Sequence, residues 1–192
     1  EHPRLLPHAI GLVLAAYARP DGEEAEEVDT SRPFEQALFE AYYGLCAASP
    51  SRFLREWSDF DRTLRNVAAT ARAAGRPVDG HVVGNDDVAE QLRRSSASDF
   101  GLRGELPYID AVIAAVNDES NLLEKEHKID RIRWQQAVDL AAEDYFNVNA
   151  VLSYLVRINL VARWTQLDEA RGRAMLGRLL RELDGKELIN NK

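Results

Sequence analysis

The sequence predicts an all-α protein, a multi-helix bundle with an irregular, glycine-punctuated middle segment. Three observations carry that prediction. Apolar residues recur at steps of three and four along most of the chain, which places them on one side of a helix. Strand-like character is confined to the pair Val82-Val83, too short to found a sheet. Long periodic segments are joined by short connections, the pattern of antiparallel helical neighbours in a bundle.

The elements follow in chain order. Residues 3–18 form a first helix, stopped by Pro20. Pro20 to Pro33 carries Glu23, Glu24, Glu26 and Glu27 between prolines and Gly22, and reads as a solvated linker. Pro33 opens the next helix, where its missing N–H costs nothing. Phe34, Ala37, Leu38, Ala41, Tyr42 and Leu45 line it to near Pro50. Ser51 is placed to cap the clearest element. Its stripe of Phe53, Trp57, Phe60, Leu64, Val67 and Ala71 runs at alternating steps of four and three. Arg52, Arg55, Asp59, Arg62 and Arg65 fill the opposite side, and Gly75 is a natural stop. That spacing marks the main core helix, with Trp57 buried in it, rather than a stacking platform for a ligand.

Residues 76–106 are the irregular middle, punctuated by Pro77, Gly80, Gly84, Gly101 and Gly104. Asn85 is placed to cap a short helix through Val88, Leu92 and Arg93. Pro107 opens another short helix from Tyr108 to Val116, and residues 117–121 break it. A long helix from Leu122 to Phe146 follows, with Ile129, Trp134, Val138, Ala141 and Tyr145 facing inward and Glu124 paired with Lys128 one turn on. Asn147 caps the next, whose buried side takes Val151, Leu152, Leu155, Ile158 and Ala162. Thr165 or Asp168 caps the last, with Leu176, Leu179, Leu180 and Leu183 inside and Gly185 as its stop. The organisation expected is an N-terminal helix fragment at 1–19, an acidic linker at 20–32, a helical domain at 33–185 and a tail at 186–192.

Composition narrows the function. In 192 residues, 24 Lys and Arg stand against 32 Asp and Glu, a net charge of −8. A large nucleic-acid-binding face needs surplus positive charge and is not expected. The single Cys46 excludes an internal disulfide framework and a Cys-based zinc site. The apolar run from Ile10 to Tyr17 is shorter than the roughly 20 residues a membrane span needs, so direct membrane insertion is not expected either. The run has only Arg4 before it, not the basic flank of a secretion signal. A cytoplasmic location is therefore expected, for a chain that begins at Glu1 and reads as a piece of something longer.

Motifs with catalytic mechanics are sparse. The one Gly-Lys pair, Gly185-Lys186, leads into Glu187, which is not a phosphate-binding loop. Asp99-Phe100-Gly101 spells a kinase magnesium motif without the glycine-rich loop or His-Arg-Asp that give it meaning. Glu124 and His127 share a helix face as di-iron ligands do. A second copy of the pair is missing, and Lys125, Glu126 and Lys128 mark a wet face, so no metal is expected. Asp86 and Asp87 read as helix-capping acids, and Cys46 as a small apolar residue. Neither a cofactor nor catalysis is expected.

Two surfaces offer partner contacts. One is a row of Arg171, Arg178 and Arg181 on the last helix, suited to an acidic protein partner. The other is the irregular middle, with Asp86, Asp87, Phe100 and Leu102, because a long irregular stretch in a compact domain usually has a reason. Phe100 and Leu102 have a plainer alternative role, plugging the end of the bundle.

The ordered set of motifs carries a resemblance. Phe53, Trp57, Phe60 and Asn66 lie on one helix; Val83-Gly84 and Asp86 form a turn, followed by Val88, Leu92 and Arg93. Then come Asp99-Phe100-Gly101-Leu102, Gly104-Glu105-Leu106, and Glu124, Glu126, Lys128-Ile129-Asp130 and Trp134. Tyr145-Phe146, Arg163-Trp164, Leu167-Asp168 and Gly172 close the series. In this order, from Phe34 to Leu183, the chain resembles a bacterial family of unknown function encoded within V-type ATPase operons. His127 departs from the basic residue of the family pattern. The resemblance implies a part of the rotary ATPase, with V-type ATPase subunits as partners. Those operons tend to lack a recognisable gene for the all-helical spacer that seats the central shaft on the membrane ring. A non-catalytic role like that of the spacer, peripheral to the inner membrane, is therefore the expectation. The competing readings are a ferritin-like metal enzyme, which needs inward carboxylates, and a stand-alone helical adaptor or regulatory protein with a small-molecule pocket.

Overall fold

The computed structural model describes residues 6–18, 28–73, 81–118, 121–143, 146–166, 170, 172–178 and 181. These residues form helices and turns, with no strand among them, as the periodicity predicts. The helices are α1 (His8–Tyr17), α2 (Phe34–Ala47), α3 (Arg52–Ala73), α4 (Asp87–Arg94), α5 (Ile109–Asn117), α6 (Leu122–Asp139) and α7 (Val148–Thr165). Residues 172–178 are helical as well. The chain divides into two compact units, Glu1–Tyr154 and Leu155–Lys192. Expectations for residues 3–5, the linker from 20 to 27, Gly75, Pro77, Gly80, Tyr145, Asp168, Arg171, Leu179, Leu180, Leu183, Gly185 and 186–192 lie outside the described residues.

Helix α3 is the hub of the first unit: α2, α4, α5 and α6 all pack against it, α1 packs on α2, and α5 on α6. It starts where the sequence places it, the Ser51 hydroxyl accepting from the Leu54 N–H at 3.4 Å. Phe53, Phe60, Leu64 and Val67 are buried. Leu64, Val67 and Ala68 join Leu92, Leu102, Ile109, Val112 and Ile129 in the central core. Each large apolar side chain among them contributes roughly 1.5–3 kcal/mol on burial. Trp57, expected to be buried, is instead half-buried and packs against this core from its edge, stacked with Phe53 and tilted against Phe60.

Two expectations about α6 are corrected. The helix ends at Asp139, not Phe146. Beyond it the Ala141 and Ala142 amides bond back only three residues, to Val138 and Asp139, a tightening that winds the last turn out of α-geometry. Trp134, expected inside, is 39% exposed. The inward line is Ile129, Asp130 and Ala137, together with Arg133. Arg133 donates to Asp61 on α3 at 2.9 Å and to Asp130 at 3.1 Å, which fixes the rotation of α6 and turns Trp134 outward. Lys128 pairs with Asp118, not Glu124.

The larger correction concerns α7. Asn147 does cap it, accepting from the Asn149 amide at 2.8 Å. Its expected buried residues Val151, Leu155 and Ile158 are nevertheless 56%, 47% and 43% exposed. The buried residue is Ser153, whose hydroxyl donates to the Ala137 carbonyl at 2.6 Å. That bond points the opposite side of the helix inward. Leu176, also expected inside, is 59% exposed.

Deleting a core side chain tests the hub. Leu64→Ala should cost roughly 2–5 kcal/mol, the range for buried leucines, and Trp134→Ala distinctly less. Urea unfolding of the two variants measures both; equal losses would put Trp134 back in the core.

Candidate functional site

The polar groups of the first unit converge on the Val83–Gly84 turn. Val82 and Val83 are fully buried outside any helix, with no strand beside them to take their backbone groups among the described residues. Asn66 on α3 fills that place. Its Nδ2 donates to the Val83 carbonyl at 2.8 Å and its Oδ1 accepts from the Val83 amide at 2.9 Å, both bonds buried. The side-chain amide thus mimics a neighbouring strand. On the other side Arg93 of α4 donates to the carbonyls of Val82 at 3.0 Å and Gly84 at 2.6 Å. Gly84 sits at φ +94°, and a Cβ there would collide with Arg62 Nη1. Only glycine satisfies both demands.

The turn leads directly into α4. The cap is Asp86, not Asn85: its Oδ1 accepts from the Ala89 amide at 3.0 Å. The other oxygen, Oδ2, pairs with Arg62 Nη1 at 2.5 Å, while Arg62 Nη2 pairs with Asp59 at 2.5 Å. One arginine therefore ties α3 to the start of α4. Beside it lies an open cleft of about 260 Å³ between α2, α3 and the turn. Tyr43, Arg55, Asp59, Arg62, Val83 and Gly84 contribute to its lining.

A second network joins α2, α3 and α6. The Tyr43 hydroxyl donates to Asp61 Oδ2 at 3.0 Å, and Asp61 Oδ1 accepts from Arg133. Burial, then the Asp61 carboxylate, hold the Tyr43 proton well above the ordinary phenol range. Burial opposes the charge on Arg133, but Asp61 and Asp130 together overcome it and raise its pKa. Arg65 stacks 3.6 Å over the Phe39 ring, which stands in for a hydrogen-bond partner at its buried Nη1.

The residues singled out from sequence are scattered. Asp86 is built into the turn, and Asp87 is exposed in the first turn of α4. Leu102 is 2% exposed and belongs to the core, and Phe100 packs against that core. Phe100 itself is at φ +54° and Gly101 at φ +73°, a tight turn in which the Gly101 amide donates to Asp99 Oδ1 at 3.0 Å. The Asp-Phe-Gly triplet is thus a turn that seats an aromatic residue. Arg178 and Arg181 are exposed, and Arg171 lies outside the described residues. Glu124 and His127 do not line the core, and no three His, Cys, Asp or Glu gather as metal ligands among the described residues. Cys46 is half-buried, burial raising its thiol pKa. Sequence reading missed the roles of Arg62, Asp61 and Arg133. The signal was faint: charged residues at helix positions that also face neighbours.

Residues 7–186 match one family model. The chain belongs to the family described as protein of unknown function DUF2764. No curated protein and no solved structure matches it. Asn66, Val83, Gly84, Asp86 and Arg93, all among the motifs that carry the resemblance, meet in the turn network just described.

Two variants probe these networks. Asn66→Asp keeps the acceptor but leaves the Val83 carbonyl facing a carboxylate, and should cost at least about 1–3 kcal/mol, the penalty of an unpaired buried group. Wild-type stability in denaturant would mean the turn holds without the amide. Tyr43 gives a pH signature. Its folded pKa lies above the unfolded value of 10.0, so its contribution is complete below about pH 10 and is lost as pH rises further. Tyr42, pushed up to about 12 by burial, acts in the same sense. Stability measured between about pH 9 and 11 should therefore fall less steeply in Tyr43→Phe than in wild type; identical slopes would contradict this.

Proposed function

We propose that this chain is a non-catalytic interaction component of a bacterial V-type rotary ATPase, a helical spacer of the central stalk. It works on the cytoplasmic side, peripheral to the inner membrane through its partners. The observations that carry the interaction class are two short rows of apolar side chains on α7: Val148, Val151 and Tyr154 in the first unit, 55% to 62% exposed, and Leu155, Ile158 and Val161 in the second, 43% to 49% exposed. Such rows are the usual mark of a protein-binding surface. The ordered motif resemblance supplies the identity of the partner. The charged groups of the first unit support the non-catalytic part: Asp59, Asp61, Asp86, Asp130, Arg62, Arg93 and Arg133 are each engaged in holding one helix or turn to another.

A second reading, a stand-alone adaptor with a small-molecule pocket, draws on the cleft of about 260 Å³ beside the Val83–Gly84 turn. Affinity purification from the native host separates the two. Catalytic and stalk ATPase subunits recovered in fixed ratio are expected; their absence under mild conditions would overturn the ATPase reading in favour of the adaptor. The exposed Asp87, Arg178 and Arg181 are the charged positions to reverse in mapping the contact, since Asp86 caps α4 and its loss would disturb the fold.

A further inference from the structure

The cleft beside the Val83–Gly84 turn combines an apolar floor with two unbalanced charges. Tyr43 and Val83 are buried at its base, while Gly44 and Ala47 of α2 are exposed along its wall. A Cβ at Gly44 would meet nothing within 4 Å, so the wall there is open backbone. Four charged residues contribute to the lining: Glu40, Arg55, Asp59 and Arg62. Glu40 is matched, pairing with Arg32 at 2.8 Å. Arg62 is divided between two carboxylates, Asp59 and Asp86, each at 2.5 Å, so that trio keeps one negative charge over. Arg55 meets no carboxylate among the described residues. Its Nη1 donates to the Ser49 carbonyl at 2.7 Å, which holds the guanidinium in place. The Nε–Nη2 edge is left, the kind of edge that takes a carboxylate through two parallel bonds. Arg55 and Asp59 stand one turn apart on the same side of α3. The cleft therefore holds a spare positive group and a spare negative group side by side above an apolar floor.

We propose that this cleft binds a small zwitterion with an apolar body, of the size and charge pattern of an apolar α-amino acid. Its carboxylate pairs with Arg55, its ammonium with Asp59, and its body lies over Tyr43 and Val83. This ligand class deepens the second reading, the small-molecule pocket, and holds whichever proteins the chain binds. Charge selects the zwitterion. A purely anionic ligand on Arg55 lies within a turn of Asp59 and is repelled by it, and a purely cationic ligand on Asp59 meets Arg55 in the same way. A ligand with both charges gives each group its complement. Volume selects the size: about 260 Å³ is smaller than the roughly 300–1,000 Å³ of pockets for drug-sized molecules. Glu40 does not compete for the ammonium, because Arg32 and the Gln36 amide already occupy its two oxygens.

The test is a titration of the full chain, followed by its amide resonances, with three probes that share one phenyl body. L-phenylalanine carries both charges, phenylalaninamide only the positive one and N-acetylphenylalanine only the negative one. Phenylalanine should shift the amides of Gly44, Val83 and Gly84 saturably, and bind at least about fivefold more tightly than either single-charge probe. Gly44→Leu, which projects a side chain into the cleft, should abolish those shifts while retaining wild-type circular dichroism. Arg55→Gln should cut the preference over phenylalaninamide to about twofold or less, and Asp59→Asn the preference over N-acetylphenylalanine. These two variants decide the matter should Gly44→Leu misfold. Equal binding of the three probes overturns the proposal, and so does wild-type binding by a folded Gly44→Leu. Equal binding that Gly44→Leu blocks removes the zwitterion and leaves the pocket reading. Binding of none of the three, with no shift at Gly44, Val83 or Gly84, removes both.

Discussion

The middle of this protein depends on one side chain standing in for a strand. Val82 and Val83 are buried outside any helix. Buried backbone amides and carbonyls must find partners or cost about 1–3 kcal/mol each. Asn66 satisfies both groups of Val83 with the two ends of one amide. Once Val83 is fixed, Gly84 must turn at positive φ, Asp86 arrives at the position that caps α4, and Arg93 on that helix returns to the carbonyls of the turn. Each step positions the next, so a segment without periodicity acquires a defined path. Leu92 then lies in the core, with Leu102 and the α3 stripe.

The same logic acts through charge between α3 and α6. Arg133 meets Asp61 and Asp130 with all three side chains largely shielded. Buried ion pairs contribute little net stability, because desolvation offsets most of the attraction. Their effect here is geometric. An arginine held at 2.9 Å and 3.1 Å by two carboxylates leaves α6 one rotation about its axis. That rotation selects Ile129 and Ala137 for the core and leaves Trp134, the larger apolar residue, at the surface. Hydrophobicity alone predicts the reverse.

Trp134 therefore shows where sequence stops being informative. The α3 stripe is legible because six apolar residues share one face and charges crowd the other, and burial largely follows the pattern. The caps at Ser51 and Asn147 are legible for a local reason, a polar side chain within reach of the amides two or three residues on. Rotation of α6 is not, since it rests on a pair 72 residues apart in the chain, Asp61 and Arg133. In the turn network, glycine and aspartate punctuation marks the place, and Asn66 stands among the motif residues. The pairing of Asn66 with Val83 spans 17 residues and two elements, which no local pattern encodes. The irregularity of their segment points Leu102 and Phe100 toward a surface. An irregular backbone can still deliver side chains to a core, here by the tight turn at Phe100–Gly101.

Helix α7 is the informative mismatch. Its apolar residues are less sharply segregated than those of α3, with Leu152, Val156 and Leu160 on other sides of the helix, and Val148, Val151 and Tyr154 face outward. Periodicity records that a face is to be covered, not by what. For α3 the cover is the rest of its own unit. On α7 the side that turns in is chosen by a serine hydroxyl bonded to a helix carbonyl, an interaction that needs close approach and little apolar area. Anchoring through a small polar residue leaves Val148, Val151 and Tyr154 exposed. Within the first unit, one hydroxyl bonded to one carbonyl decides which side of the helix is covered, and the apolar spacing does not.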